Sequence, residues 1–377
     1  MLLRRLSSFL PGLKEALIYV PGRTDFRRTR LLPFILVFGL ASAACAGPLP
    51  ATGSDVTAAV APQAEASGRL VVYSGRSEPL IQPVLEAFRA ENPGTEILLK
   101  SGTNSELANA LLEEQNNPQA DVFITTELFT IQALNNAGVL QSYRPATAGQ
   151  LPAEAIGPDD SWVGITRRAR VIMYNTNLVP PEEVPQSIFD LTDPKWQGQV
   201  AAANSTNGSM QAQTAAMRQL LGEPATEEWL RGLLANEVTF FGGHTDVRKA
   251  VGAGEFKLGL VNHYYYHLQK NEGSPVGMVF PDQGEGQLGL ITNLTAVGII
   301  DGAQNTGNAQ RFVDFLLSQE GQQLFAELNY EYPLLPGVPL LSEVTPLDQF
   351  RLAGVDVAQA AANLDETFAL FEKIGMP

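Results

Sequence analysis

From Arg69 onward the chain alternates short β-like runs with segments of helical periodicity, and this alternation limits the fold more than any other feature of the 377 residues. Residues 69–74 (RLVVYS) read as a strand, and residues 78–90 place Leu80, Ile81, Val84, Leu85 and Phe88 at helical spacing. Residues 96–101 (EILLKS) form the next predicted strand, and Thr103 with Glu106 offers a capping box for a helix over 104–115. Residues 121–126 (DVFITT) and 128–138 repeat the pair, the helix ending at Gly138. Further strands are predicted at 170–175, 199–204, 256–262 and 276–281, and residues 309–328 read as two helices broken at Gly321. The pattern predicts an α/β protein built on a parallel sheet. Ligands in open α/β sheets lie beyond the carboxyl ends of the strands, so residues 73–78, 125–127 and 204–209 are expected to share one cleft. No linker interrupts residues 69–377, as expected where the chain passes between two lobes more than once.

The N-terminal part has a different character. Arg27, Arg28 and Arg30 precede an apolar stretch over 31–44, and Ala43 and Ala44 precede Cys45, the sole cysteine. This is the layout of a secretory signal, and fourteen apolar residues fall short of the roughly 20 that a membrane-spanning helix needs. A cysteine after small residues resembles a bacterial lipobox, with Ser42 where Leu is usual, so Cys45 is the expected lipidation site. Residues 1–26 lie upstream of this already complete signal. Residues 46–67, rich in Ala, Pro, Gly, Ser and Thr, read as a flexible tether. Of 25 basic and 40 acidic residues the first 45 positions hold seven and two, leaving 18 and 38 and a formal charge of −20. That balance disfavours nucleic acid, whose phosphates need a basic face.

Candidate chemistry is concentrated in a few places. Three of the nine tyrosines are consecutive, Tyr264, Tyr265 and Tyr266, inside NHYYYH, while Tyr73 and Tyr174 close predicted strands. A phenolate oxygen is a hard anionic donor suited to ferric iron once the metal displaces its proton; the same cluster also reads as packed aromatics with polar tips. His263 and His267 stand at i, i+4 spacing with His244 nearby, a possible zinc or manganese set, but the Glu of an HExxH hydrolase is missing. No GxSxG, GxxxxGK[ST] or CxxC motif is present. Residues 206–209 (TNGS) suit an anion held by backbone N–H groups at a helix start.

Together, VVYSGRSEPLIQPVLEAF, ADVFITTE, RRARVIMYNTN, STNGSM, VRKAVGAGE, GLVNHYYYHL, VFPDQGEGQLGLITN and LNYEYPLLPGV, in this order over about residues 69–345, resemble the ferric-iron-binding proteins of ABC importers. These are a branch of the type II periplasmic binding proteins. The resemblance implies two α/β lobes closing over Fe³⁺, with a small anion such as carbonate completing the coordination and with delivery to a permease and its ATPase. It implies a first lobe of 69–165 plus about 296–345, and a second of about 166–295 plus 346–377. It places metal-binding phenolates on Tyr264 and Tyr265, with Tyr266 as a neighbour, and a further one on Tyr174. It places anion contacts on Thr206, Asn207, Gly208, Ser209, Arg76 and Arg168, with Arg170 as an alternative. The sequence departs from the family where Ser77 and Glu78 follow YSGR in place of His or His-Tyr, and where Thr126 and Glu127 stand near an acidic or glutamine position. The resemblance implies a binding protein and no enzyme, exported and lipid-anchored outside the cytoplasm. An anion carrier of the same fold, for phosphonate, sulfate or carboxylate, is the alternative reading.

Overall fold

The computed structural model describes residues 67–377. The leader over 1–45, Cys45 and the tether up to residue 66 lie outside the described residues. Strand β1 (Ser67–Ser74) takes up the tether's last residue and pairs in parallel with β2 (Gly94–Ser101) and β3 (Val122–Thr125). Between them run α1 (Glu78–Glu91), α2 (Asn104–Glu113) and, after β3, α3 (Leu128–Asn136). The predicted Thr103–Glu106 capping box is present, and α1 buries Ile81, Val84, Leu85 and Phe88. A two-residue β4 (Leu140–Gln141) follows.

Next comes a 13-residue strand, β5 (Val163–Asn175). After it the chain forms β6 (Val200–Ala203), α4 (Gly208–Leu221), α5 (Glu223–Ala235), β7 (Thr239–Phe241), α6 (His244–Ala253), β8 (Leu258–Asn262), α7 (His263–Asn271) and β9 (Val276–Val279). Strand β10 (Thr292–Ile300) leads to α8 (Thr306–Leu316), α9 (Gln319–Asn329), β11 (Tyr332–Pro333), α10 (Val357–Ala362) and α11 (Leu364–Ile374).

The sheet order is β2-β1-β3-β10-β5-β8-β6-β7. The outer pairs are parallel as predicted, but β10 and β5 run antiparallel to their neighbours and to each other. Strand β5 explains the difference. Its first half, through Ala169, pairs with β10, and its second half, from Arg170 to Tyr174, pairs with β8. One strand therefore belongs to two sheets. The charged run Arg167, Arg168 and Arg170 hides the first half of β5 from a hydrophobic alternation rule, which predicts only its second half at 170–175, and β10 is absent from the strands the pattern predicts. The α8–α9 break falls at Leu317 and Ser318, where Ser318 caps α9, and not at Gly321. Gly321 sits one turn later because a Cβ there would lie 2.1 Å from the Phe315 carbonyl oxygen, so only glycine lets the helices turn so tightly.

Two main cores form. One gathers Leu70, Val72, Phe88, Phe123, Phe312 and Phe325, with Phe88 and Phe312 edge to face at 5.0 Å. The other gathers Trp196, Val200, Trp229, Leu230, Leu258 and Phe371. Strand β5 runs from one to the other, with Val163 and Ile165 in the first and Ile172 in the second.

Candidate functional site

Between the two cores lies a cleft of about 270 Å³. It is lined by the first residues of five helices: Ser77 before α1, Thr103 and Asn104 on α2, Asn207 to Ser209 on α4, Gly243 to Thr245 on α6, and Tyr264 with Tyr265 on α7. Each helix N-terminus carries roughly half a positive charge. Helices α1, α6 and α7 have no side-chain cap, so their first-turn N–H groups are left for something in the cleft.

Tyr264 and Tyr265 stand where β8 turns into α7. On a strand adjacent side chains point to opposite faces; in the first turn of a helix they do not, and here their ring centroids are 4.3 Å apart. They are 3% and 9% exposed, and their phenol oxygens have no partner among the described residues except each other. Burial, and then Tyr264, push the Tyr265 hydroxyl well above its ordinary pKa, against the pull of Arg76 and Arg168. Tyr266 is elsewhere, its hydroxyl accepting from Lys270 Nζ at 2.9 Å.

The predicted arginines separate into two kinds. Arg76 lines the cleft but is ion-paired to buried Glu331, 255 residues away, and its Nη1 donates to Thr295 Oγ1 at 3.0 Å. Arg168, 1% exposed, also lines the cleft and among the described residues has only carbonyl partners, Thr126 and Leu294. Arg170 lies behind it, donating to Gln213 Oε1 at 2.7 Å and Asn262 Oδ1 at 3.2 Å, and meeting His244 Nε2 at 3.0 Å. Among the described residues no carboxylate pairs with either one, and burial, then Arg168, pull the Arg170 pKa down to about 9. Two buried cations without a counter-ion among the described residues, beside uncapped helix starts, make this cleft receptive to negative charge.

Thr206, Asn207, Gly208 and Ser209 all reach the cleft as predicted. Asn207 caps α4 through Ser209 N, and Ser209 Oγ accepts from Asn262 Nδ2 at 3.1 Å. Gly208 meets the opposite wall: a Cβ there would lie 2.4 Å from Asn104 Nδ2 and 2.8 Å from Thr126 Oγ1. Gly208→Ala should therefore oppose closure without straining the open protein. We expect cargo affinity to fall by tenfold or more with the melting temperature of the empty protein unchanged. Titration and a thermal melt of the same sample check this, and unaltered affinity would mean that the walls need not meet.

Tyr174 is not brought to the cleft. Strand β5 runs antiparallel to β8, so Arg170 faces Asn262 at the cleft end while Tyr174 faces Leu258 at the other, about 13 Å away at roughly 3.3 Å per residue. Its ring instead covers Gly277 of β9 within the second core. Tyr73 also turns away, donating to Glu114. The three histidines do not assemble. His263 accepts from Ala169 N at 3.2 Å through Nδ1 and meets the Tyr330 carbonyl at 2.8 Å through Nε2. His267 stacks on Tyr330, and His244 alone lines the cleft. Arginine can only donate, so His244 Nε2 accepts and Nδ1 carries the proton. Burial, followed by Arg170 and Arg168, holds this imidazole neutral. Among the described residues no group of three His, Cys, Asp or Glu side chains is placed to hold a metal. Glu127 is spent as the cap of α3, accepting from Phe129 N and Thr130 N. Ser77 lines the cleft, whereas Glu78 starts α1 on the surface.

Residues 117–358 match the family model described as bacterial extracellular solute-binding protein. The chain belongs to that family. This solute-binding protein is 33% identical to iron uptake protein A1 of Synechocystis over 80% of its own length and 86% of that protein's. Among solved structures, iron-bound HitA from Pseudomonas aeruginosa matches with TM-score 0.75 and 28% identity, covering 81% of this chain and 99% of that one. A Trichodesmium protein in complex with iron and citrate matches with TM-score 0.67 and 30% identity over 82% of this chain and 100% of that one. The solute-binding protein thus has the two-lobed type II fold, with the cleft between its lobes.

Proposed function

We propose that this protein captures ferric iron outside the cytoplasm through the phenolates of Tyr264 and Tyr265 and delivers it to an ABC-importer permease driven by its ATPase. The observation that carries the reading is the pair of buried, adjacent tyrosines whose phenol oxygens have no partner but each other among the described residues, lining a cleft rich in positive charge. Phenolates are hard donors matched to Fe³⁺, and an anion such as carbonate would answer Arg168 and the uncapped helices. The named relatives agree with iron. Tyr174 is left out of the ligand set. The protein binds and releases its cargo without chemistry on it, so cleft opening at the permease releases the metal. Iron analysis of desalted protein after ferric loading tests the reading, with about one ion per chain expected and none retained as the contrary result.

The cations and helix starts equally suit an organic or inorganic anion without metal. Tight binding of a phosphonate or sulfate by metal-free protein, with no iron retained, would establish that second reading.

Two further proposals accompany the first. The lobes divide at about 165–166 and 295–296, residues 346–377 joining the second; the two core clusters support this, with Leu370 and Phe371 in the second core. Cys45 carries a lipid anchor, so the protein should sediment with membranes in a bacterial host and Cys45→Ser should release it or block its maturation. Equal solubility of both forms would refute the anchor.

A further inference from the structure

Behind the point where the cleft walls meet, a further apolar contact joins the two halves of the molecule. Helix α3 packs in the first core through Leu128, Ile131 and Leu134, and α4 packs in the second through Met210, Ala216 and Met217. Phe129 belongs to neither core. Although only 4% exposed, it is gathered with Ala212 and Ala215 of α4, Ala360 and Ala361 of α10, and Leu364 at the start of α11. The chain entering α10 spans the same divide, since Val355 packs against the second core and Val357 against the first. Gly208, one turn before Ala212, sits against Asn104, Thr126 and Glu127, and Glu127 caps α3 two residues before Phe129. Drawing these walls apart therefore also parts α3 from α4, and α10 can follow only one of them.

The polar contacts decide which. Asp356 N donates to Gln219 Oε1 at 3.0 Å, and Arg218 Nη1 donates to the Asn363 carbonyl at 2.8 Å and to Thr367 Oγ1 at 3.0 Å; Arg218 and Gln219 are both on α4. Helix α11 adds Leu370 and Phe371 to the second core, and the Pro377 carbonyl accepts from Ser205 N at 2.8 Å. Among the described residues no hydrogen bond or ion pair joins α10 to α3, so that contact is apolar alone. Such a contact can part and reform without leaving a buried polar group unpaired. It is also loosely filled: a cavity of about 340 Å³ lies beside it, lined in part by Phe129, Ala212, Ala216, Val355 and Val357, where a permanent core would be close-packed.

We propose that Phe129 and α10 form a latch outside the cleft that sets how tightly the cargo is held. With the lobes open, α10 stays on α4 and Phe129 is exposed. Closure buries Phe129 against α10, and that burial slows release. Phe129 is a positioning residue, because it acts through the placement of the lobes and touches no cargo. The latch depends on closure of the two lobes and not on the cargo being ferric iron.

The test compares full-length Phe129→Ala and Phe129→Leu with the unaltered chain, first empty and then with ferric ion supplied in bicarbonate buffer. The empty proteins should melt at the same temperature, since an undone latch has no packing to lose. A fall of several degrees in empty Phe129→Ala, as for truncation of a permanently packed aromatic, overturns the latch with any cargo. In the loaded proteins, ferric dissociation should be faster by roughly 10- to 100-fold in Phe129→Ala, the worth of burying one such side chain, with association nearly unchanged. Phe129→Leu should restore most of the slow release. Unaltered dissociation in Phe129→Ala also overturns the latch. Iron absent from the unaltered chain sinks the ferric reading instead; the melts still judge the latch, and sulfate replaces iron as the probe of the same rates.

Discussion

Tyr264→Phe and Tyr265→Phe should each weaken ferric binding by well over the roughly 10- to 100-fold that losing even an outer-shell partner of a metal ligand costs. Each removes one donor oxygen and keeps a ring that packs against its neighbour at 4.3 Å. The melting temperature of the empty protein should move little, because neither oxygen has a partner beyond the other phenol to lose. The visible phenolate-to-iron charge-transfer band of the loaded protein should shift or vanish with each. Tyr266→Phe breaks only a surface contact with Lys270, and Tyr174→Phe changes a ring about 13 Å from the cleft end of its strand at roughly 3.3 Å per residue; both should leave the band in place. Competition titration against a chelator of known strength measures all four. Loss of colour in Tyr266→Phe with colour kept in the other two would overturn the assignment.

The contrast between Tyr264 and Tyr174 shows what sequence can and cannot disclose. Adjacent tyrosines become useful when a strand turns into a helix between Asn262 and His263, and the apolar run before NHYYYH makes that junction legible. Tyr174 also closes an apolar run, but its strand runs antiparallel to β8, and direction within a sheet is a tertiary property no local pattern encodes. The α/β alternation, the capping box at Thr103 and the helix start at Asn207 all depend on neighbouring residues, and all are legible. The pairing of Arg76 with Glu331 joins residues 255 apart, so charge balance in the cleft is not. Removing Arg76 from the pool of free cations leaves Arg168 as the guanidinium facing the cargo.

Acid should release the cargo steeply. Burial and Tyr264 hold the Tyr265 proton well above the ordinary phenol range, and free phenols titrate near 10. Below that range each phenol must lose a proton for iron to bind, so raising the pH favours the complex and lowering it favours release. The linkage gives about tenfold in affinity per pH unit for each phenolate, or roughly 100-fold for two. Apparent affinities between pH 6 and 8, corrected for protonation of the competing chelator, should show a slope close to two. A slope near one would mean a single phenolate, and a flat profile would mean that protonatable donors do not hold the metal.

The visible spectrum of the purified protein after ferric loading tests the central claim most directly. Phenolate-to-iron charge transfer should give a red-orange band that appears with one equivalent of iron and is lost on acidification. A colourless protein that still binds a phosphonate or sulfate tightly would contradict the account and assign the cleft to anions.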